Sequence, residues 1–195
     1  MISAVILAAG RAEKIGEQTV FLPLGGKPVL QWVLDTALAS DLDEIICVAR
    51  DFGPVRREIG MADDRLFWLL NHAADQGQST SIIAGLWAVN PASEGVMFLA
   101  GDQPLIRPNL INSLIEKFAD GTAWVVAPCF NGEPRNPVLF RRNLFPELLK
   151  LTGDGGGRIL LDKHKKKTEL VEWKEEKSFL DVDVREDYER LKQLA

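Results

Sequence analysis

The chain has 195 residues, 46% of them hydrophobic and 26% charged, the balance of a globular protein and not of a disordered one. Its 28 acidic and 23 basic residues give a formal charge of −5, which argues against nucleic acid as a partner, because such binders carry a basic face. No apolar run approaches the ~20 residues of a membrane span, and two cysteines with two histidines cannot furnish a zinc site of the usual spacing. One domain over residues 1–195 is expected. The opening run 2–7 is too short for a signal-peptide core and has no basic leader. Together with two apolar-flanked thiols, Cys47 and Cys129, this predicts a cytoplasmic protein without a membrane partner.

Short apolar runs alternate with amphipathic segments along the chain. Residues 2–8 form a continuous apolar run ending before Gly10, the pattern of a strand buried on both faces. Pro28 opens a helical segment carrying Val29, Leu30, Val33, Leu34, Ala37 and Leu38. Strands are expected at 44–49 and 67–70, then a helix capped by Ser79 or Ser81 and running through Ile82, Ile83, Leu86 and Trp87. A strand at 95–100, a helix at 108–118, a strand at 123–129 and a helix at 145–151 follow. The run 163–167, Lys-His-Lys-Lys-Lys, reads as a solvated helix end. After residues 168–173, the segment 179–183 reads as a late strand and 186–194 as a closing helix. This alternation predicts an α/β fold, a mostly parallel mixed sheet with helices on both faces.

In open α/β sheets ligands bind beyond the carboxyl ends of the strands, so the residues following each strand are the candidates. The first strand runs into Leu7-Ala8-Ala9-Gly10-Arg11-Ala12-Glu13-Lys14-Ile15-Gly16, whose small residues free backbone N–H groups for a phosphate chain. The connection from Ala8 to Pro28 is far longer than the ~2–6 residues usual for such a loop. It is neither the P-loop pattern nor the dinucleotide fingerprint. Asp102, within Ala100-Gly101-Asp102-Gln103-Pro104, stands where a carboxylate can hold Mg²⁺, although a turn aspartate fits too. Asp181 and Asp183 share one face of an extended segment, with helix capping as the competing reading. Asn71 precedes the hydroxyl-rich Gln76-Gly77-Gln78-Ser79-Thr80-Ser81, which suits either a nucleotide or a helix cap. Arg135-Asn136-Pro137 offers a guanidinium fork or an ordinary surface arginine. Gly153-Asp154-Gly155-Gly156-Gly157-Arg158 reads more readily as a flexible turn than as a phosphate cradle.

These residues carry a resemblance. Leu7-Ala8-Ala9-Gly10, Gly16, Leu22-Pro23-Leu24-Gly25-Gly26-Lys27-Pro28, Gly101-Asp102-Gln103-Pro104, Asn136-Pro137-Val138-Leu139-Phe140, Asp181-Val182-Asp183 and Glu186-Asp187-Tyr188 fall in the order seen in the molybdenum-cofactor nucleotidyltransferases (MobA-like NTP transferases). The chain resembles most the molybdopterin cytidylyltransferase branch. The resemblance implies a Rossmann-like nucleotidyltransferase fold, Mg²⁺ as cofactor, CTP or another NTP as donor, and a molybdopterin-type phosphorylated acceptor. A molybdenum hydroxylase apoenzyme is the implied recipient. It implies further that Leu7, Ala8, Ala9 and Gly10 line the nucleotide, with Ala9 matching cytidylyl transfer. Asn71 then matches a nucleotide contact, Asp102 the principal metal ligand and Asp183 a second carboxylate near the metal. Ser79, Ser81 and Gly101 complete the expected nucleotide site.

The chain departs from the family's first loop, Leu-Ala-[Ala/Gly]-Gly-x-Ser-x-Arg-Met-Gly-x-x-Lys. Ala12 replaces the serine, Lys14 the arginine, Ile15 the methionine and Thr19 the final lysine, and Val184 and Arg185 alter the late Asp-x-Asp-Thr-Pro pattern. Lys14 keeps a charge without the bidentate fork; Thr19 loses it. The expected catalytic set is therefore Lys14, Lys27 and Asp102, with Lys27 taking over the charge absent at Thr19. Two alternatives stand beside this reading: a sugar-phosphate nucleotidyltransferase, or a non-catalytic cofactor-binding and delivery protein of the same fold.

Overall fold

The computed structural model describes residues 1–10, 18–59 and 62–194. In chain order the elements are β1 (Ile2–Ala8), the short hairpin β2 (Pro23–Leu24) and β3 (Lys27–Pro28), α1 (Val29–Leu38), β4 (Glu44–Ala49), α2 (Phe52–Glu58), β5 (Leu66–Leu70) and α3 (Gln78–Ala88). They continue with β6 (Gly95–Ala100), α4 (Pro108–Asp120), β7 (Val125–Phe130), β8 (Glu133–Pro134), β9 (Val138–Arg141), α5 (Phe145–Leu148), α6 (Arg158–Lys163), β10 (Thr168–Glu172) and α7 (Arg185–Lys192).

The main sheet runs β10-β7-β9-β6-β1-β4-β5, with β8 paired to β7. β6, β1, β4 and β5 are mutually parallel, as are β7 and β10. β9 lies antiparallel between β6 and β7. Helices cover both faces, because successive strand residues point to opposite sides. Ala4, Ile6 and Ala8 of β1 pack with Leu30, Val33 and Leu34 of α1 and with Leu110, Ile111 and Leu114 of α4. Val5 and, from β4, Ile46 and Val48 face the other way, onto Ile82 and Leu86 of α3. The central strands are buried on both sides, which is why they read as unbroken apolar runs. The result is the expected α/β fold, a mixed and mostly parallel sheet with helices on both faces.

Several expected boundaries shift. The helix expected at 145–151 closes after Leu148 as α5. The segment expected as a strand at 179–183 instead follows a short 3₁₀ turn, Glu176–Phe179, and is tied to the sheet's end by the Val182 amide donating to the Asp102 carbonyl at 3.2 Å. α3 begins after Gly77, not at a serine cap: Gly77 has φ +110°, and Ser79 and Ser81 are buried inside the helix. A backbone so far into positive φ requires glycine, and a Cβ there would also press on the Gly153 carbonyl carbon at 2.6 Å. Among the described residues no helix is long and apolar enough to cross a membrane.

Candidate active site

The chain runs β1, β4, β5 outward in one direction and then returns to place β6 on the other flank of β1. That reversal is the topological switch point, and a crevice opens beyond the carboxyl ends of the two strands. Leu7, Ala9 and Gly10 lie at the end of β1, and Asp102 lies just past β6. Their backbones are joined by the Gly101 amide donating to the Leu7 carbonyl at 3.0 Å. A Cβ at Gly101 would stand 3.0 Å from that oxygen and 3.1 Å from the Ala8 methyl, so a side chain there would crowd the junction. The resulting cleft has a volume of about 780 Å³ and is also lined by Arg50, Gln76, Ser81, Gln103, Asp181 and Asp183.

The cleft is acidic. Asp75, Asp102, Asp154, Asp181 and Asp183 line it against Arg50 alone among its described basic residues. Burial and then the Asp181 carboxylate push the Asp102 carboxyl up to about 7, with Asp183 adding to the rise and the backbone N–H of Asp102 opposing it. Burial and Asp183 raise Asp181 as well, while Arg135 pulls it back. Converging carboxylates that resist ionisation together are what a bound cation would relieve. Among the described residues no group of three or more His, Cys, Asp or Glu forms a complete metal cage. The donor set nevertheless fits Mg²⁺ or Mn²⁺, which take one or two carboxylates and complete their shell with water and substrate phosphates. Asp183 is not spent on capping: the N-cap of α7 is Val184, and the Asp187 carboxylate accepts from the amides of Asp183 at 3.3 Å and Val184 at 2.9 Å.

Residues 4–168 match the MobA-like NTP transferase domain. The chain belongs to this family. The Bacillus subtilis purine catabolism protein PucB is 29% identical over 96% of this chain and 94% of its own length. The crystal structure of Rv0371c from Mycobacterium tuberculosis H37Rv superposes with a TM-score of 0.86 at 27% identity, covering 98% of this chain and 97% of that one. A complex of Rv0371C with manganese gives a TM-score of 0.81 at 25% identity, with the same coverage.

Within this MobA-like domain the expected residues separate into two groups. Leu7, Ala9, Gly10, Ser81, Asp102 and Asp183 line the cleft. Ala8 is buried beneath it, and Ser79 is buried within α3. Asn71 is not at the cleft surface either. Its Nδ2 donates to Thr80 Oγ1 and Ser81 Oγ, both at 2.9 Å, and its Oδ1 accepts from the Ala73 amide at 2.9 Å. Asn71 therefore holds the turn that presents Ser81, with its own side chain buried behind the cleft lining. Lys27 corrects another expectation: it sits in the β2–β3 hairpin, paired with Asp35 and 3.8 Å over the Trp32 ring, away from the cleft lining. Thr19 is buried in a 3₁₀ turn, Thr19–Phe21. Lys14, with Ala12, Ile15 and Gly16, lies outside the described residues.

Two features escaped the sequence reading. Arg50, directly after β4, donates from Nε to the Ala9 carbonyl at 3.2 Å and from Nη1 to Asp75 at 2.8 Å. Its place just past a strand end, at the edge of the switch point, was the signal. Residues 153–157 are not a loose turn: the Gly153 carbonyl accepts from the Ser79 amide, and Asp154 Oδ1 from the Gln78 amide, both at 3.0 Å.

Proposed function

We propose that this MobA-like NTP transferase moves CMP from CTP to the terminal phosphate of a molybdopterin-type acceptor. The observation that carries the reading is the Asp102–Asp181–Asp183 group facing the Leu7–Gly10 turn across the switch point, in an otherwise acidic cleft. A triphosphate is repelled by such a cleft unless divalent cations accompany it. The strand order supports an orientation. β4 and β6 flank β1, so Arg50 and Asp102 stand two strand spacings apart, roughly 10 Å. The base then lies over the β1–β4 end and the phosphates toward β6.

The acceptor phosphate oxygen attacks the α-phosphorus, an O–P bond forms, the α–β bridging bond breaks, and pyrophosphate leaves with the electron pair. The nucleophile is already an anion, so no strong general base is required, which agrees with a cleft lined by no histidine among the described residues. Asp102 and Asp183 would hold Mg²⁺, which supplies neutralisation of charge developing on the phosphate oxygens. Leu7, Ala9 and Gly10 present backbone to the nucleotide, and Ala9 favours the smaller pyrimidine. Ser81 presents a hydroxyl whose oxygen already accepts from Asn71, leaving its proton for the ligand. Lys14 would screen the triphosphate from the first loop. Hand-over of the product to a molybdenum hydroxylase apoenzyme completes the reading.

Acceptor-dependent pyrophosphate release, assayed with the four NTPs and Mg²⁺ or Mn²⁺, tests it. CTP should support release and GTP only weakly. Release with no NTP and molybdopterin, together with tight cofactor binding, would instead favour the delivery protein.

A further inference from the structure

Beside the nucleotide cleft a second cavity of about 310 Å³ opens between the β8–β9 connection and the glycine-rich segment 153–157. Arg135, Asn136, Arg158, Gln103, Phe179 and Asp181 line it. Gln103, Asn136 and Asp181 also line the cleft, so the two spaces share a wall at the edge of the carboxylate group.

We propose that this cavity binds the acceptor as an organic phosphate monoester, with Arg135 and Arg158 on the phosphate and Gln103 Oε1 accepting a hydrogen bond from the acceptor's body. The proposal rests on the nucleotidyl-transfer reading of the neighbouring cleft and assigns residues that reading does not use.

Charge is the first argument. A second anion must approach a cleft whose lining carboxylates outnumber its cations, and Arg135 and Arg158 supply positive charge on the side opposite Arg50. Both are exposed, and among the described residues neither guanidinium makes a hydrogen bond or salt bridge, although Arg135 is near enough to Asp181 for its charge to act on that carboxylate. Guanidinium forks match phosphate oxygens in pairs.

Gln103 is the second, independent argument. It is 5% exposed, its Nε2 donates to the Phe179 carbonyl at 3.5 Å, and its Oε1 has no partner among the described residues. A buried acceptor left unpaired is costly, and native structures keep few of them. A turn of the Gln103 side chain, which lines the cavity, would offer this oxygen to an N–H or O–H of a ligand there. The opposing wall is preformed, because the amides at the start of α3 hold Gly153 and Asp154 in place.

Phenylglyoxal modification of arginines, read at each site by peptide mass spectrometry, tests the assignment with phenyl phosphate as the probe. Arg142, bonded to the Ser93 carbonyl at the other end of β6, is the internal control. Millimolar phenyl phosphate should slow modification of Arg135 and Arg158 at least fivefold relative to Arg142, and CTP with Mg²⁺ should not. Protection of both arginines by CTP alone would make the cavity a triphosphate tail site and overturn the proposal. Absence of protection by phenyl phosphate would also overturn it. R135A and R158A, checked for parental melting, should each raise the phenyl phosphate concentration that half-protects the remaining arginine at least tenfold; a parental value sinks the assignment. This protection needs no turnover, so its outcome is separable from failure of CTP transfer.

Discussion

At the scale of single residues, Asp102 combines two demands that pull apart. Its carboxyl, raised to about 7 by burial and by Asp181, keeps in the folded state a proton that the unfolded chain releases near the ordinary value of 3.8. The folded protein thus binds more protons over that window, and its stability without metal falls as pH rises from about 4 to 7 and stays low above it. Asp181, also raised, acts in the same direction. Asp102→Asn should therefore melt higher than the parent in EDTA at pH 8, by on the order of 1–2 kcal/mol or about 2–8 °C for a chain of this size. The gain should vanish near pH 4. The same substitution should remove at least ~99% of metal-dependent pyrophosphate release, because a neutral amide is a poor ligand for a hard cation. Equal melting at pH 8 would show that Asp102 does not bear that strain, and parental turnover that it does not hold the metal. Sequence spacing made this aspartate legible, since a carboxylate just past a strand end is visible in one dimension. It misjudged Lys27, because nothing in the spacing tells that the hairpin turns this lysine onto Trp32 and Asp35.

At the scale of elements, the junction between β5 and α3 decides how the Ser81 end of the cleft is built. Asn71 spends both amide hydrogens on Thr80 and Ser81 and its oxygen on the Ala73 amide. Asn71→Ala should therefore destabilise by about 1–3 kcal/mol and raise the NTP KM several-fold with a smaller change in kcat, since the loss falls on placement of Ser81. Steady-state kinetics beside a melting curve check this; a fall in kcat alone, with KM parental, would mean that Asn71 reaches the reacting groups. Gly85 fixes the other end of the same contact, because a methyl there would overlap the Val5 side chain on β1. Gly85→Ala should lift α3 from the sheet at a cost of about 1–3 kcal/mol, read as a lower urea midpoint; an unchanged midpoint would show that α3 rides freely. The long apolar strands and α1, α3 and α4 were legible because their periodicity comes from burial on one or two faces. β9 and α2 were not, because four strand residues or a single helical turn or two carry too few apolar positions to set a period. The segment 179–183 alternates like a strand yet crosses the strand ends, held there by a tertiary contact that no local pattern encodes.

At the scale of the whole molecule, the last residues of the chain complete a site begun by the first ones. Val182 and Leu191 are buried with Leu24, Val29 and Leu105 in a small apolar cluster, and the Tyr188 hydroxyl donates to the Pro23 carbonyl in the β2–β3 hairpin. This clasp, together with the Val182 amide on the Asp102 carbonyl, is what carries Asp181 and Asp183 to the end of β6. Metal affinity should then depend on packing well away from the carboxylates. Leu191 is fully buried, touches the clasp and has no group able to bind a cation. Leu191→Ala should cost about 2–4 kcal/mol, as buried leucine truncations do. Loosening α7 lets Asp183 drift from Asp102, so Mn²⁺ should bind several-fold more weakly in a calorimetric titration at a temperature where the variant is still fully folded by circular dichroism. Leu114→Ala, equally buried but in α4 and packed against α1 and β1, should lose comparable stability and keep the parental Mn²⁺ affinity. If both variants lose metal binding alike, the effect is general destabilisation; if neither does, the carboxylates are positioned without the clasp, and the two ends of the chain are coupled in structure but not in function.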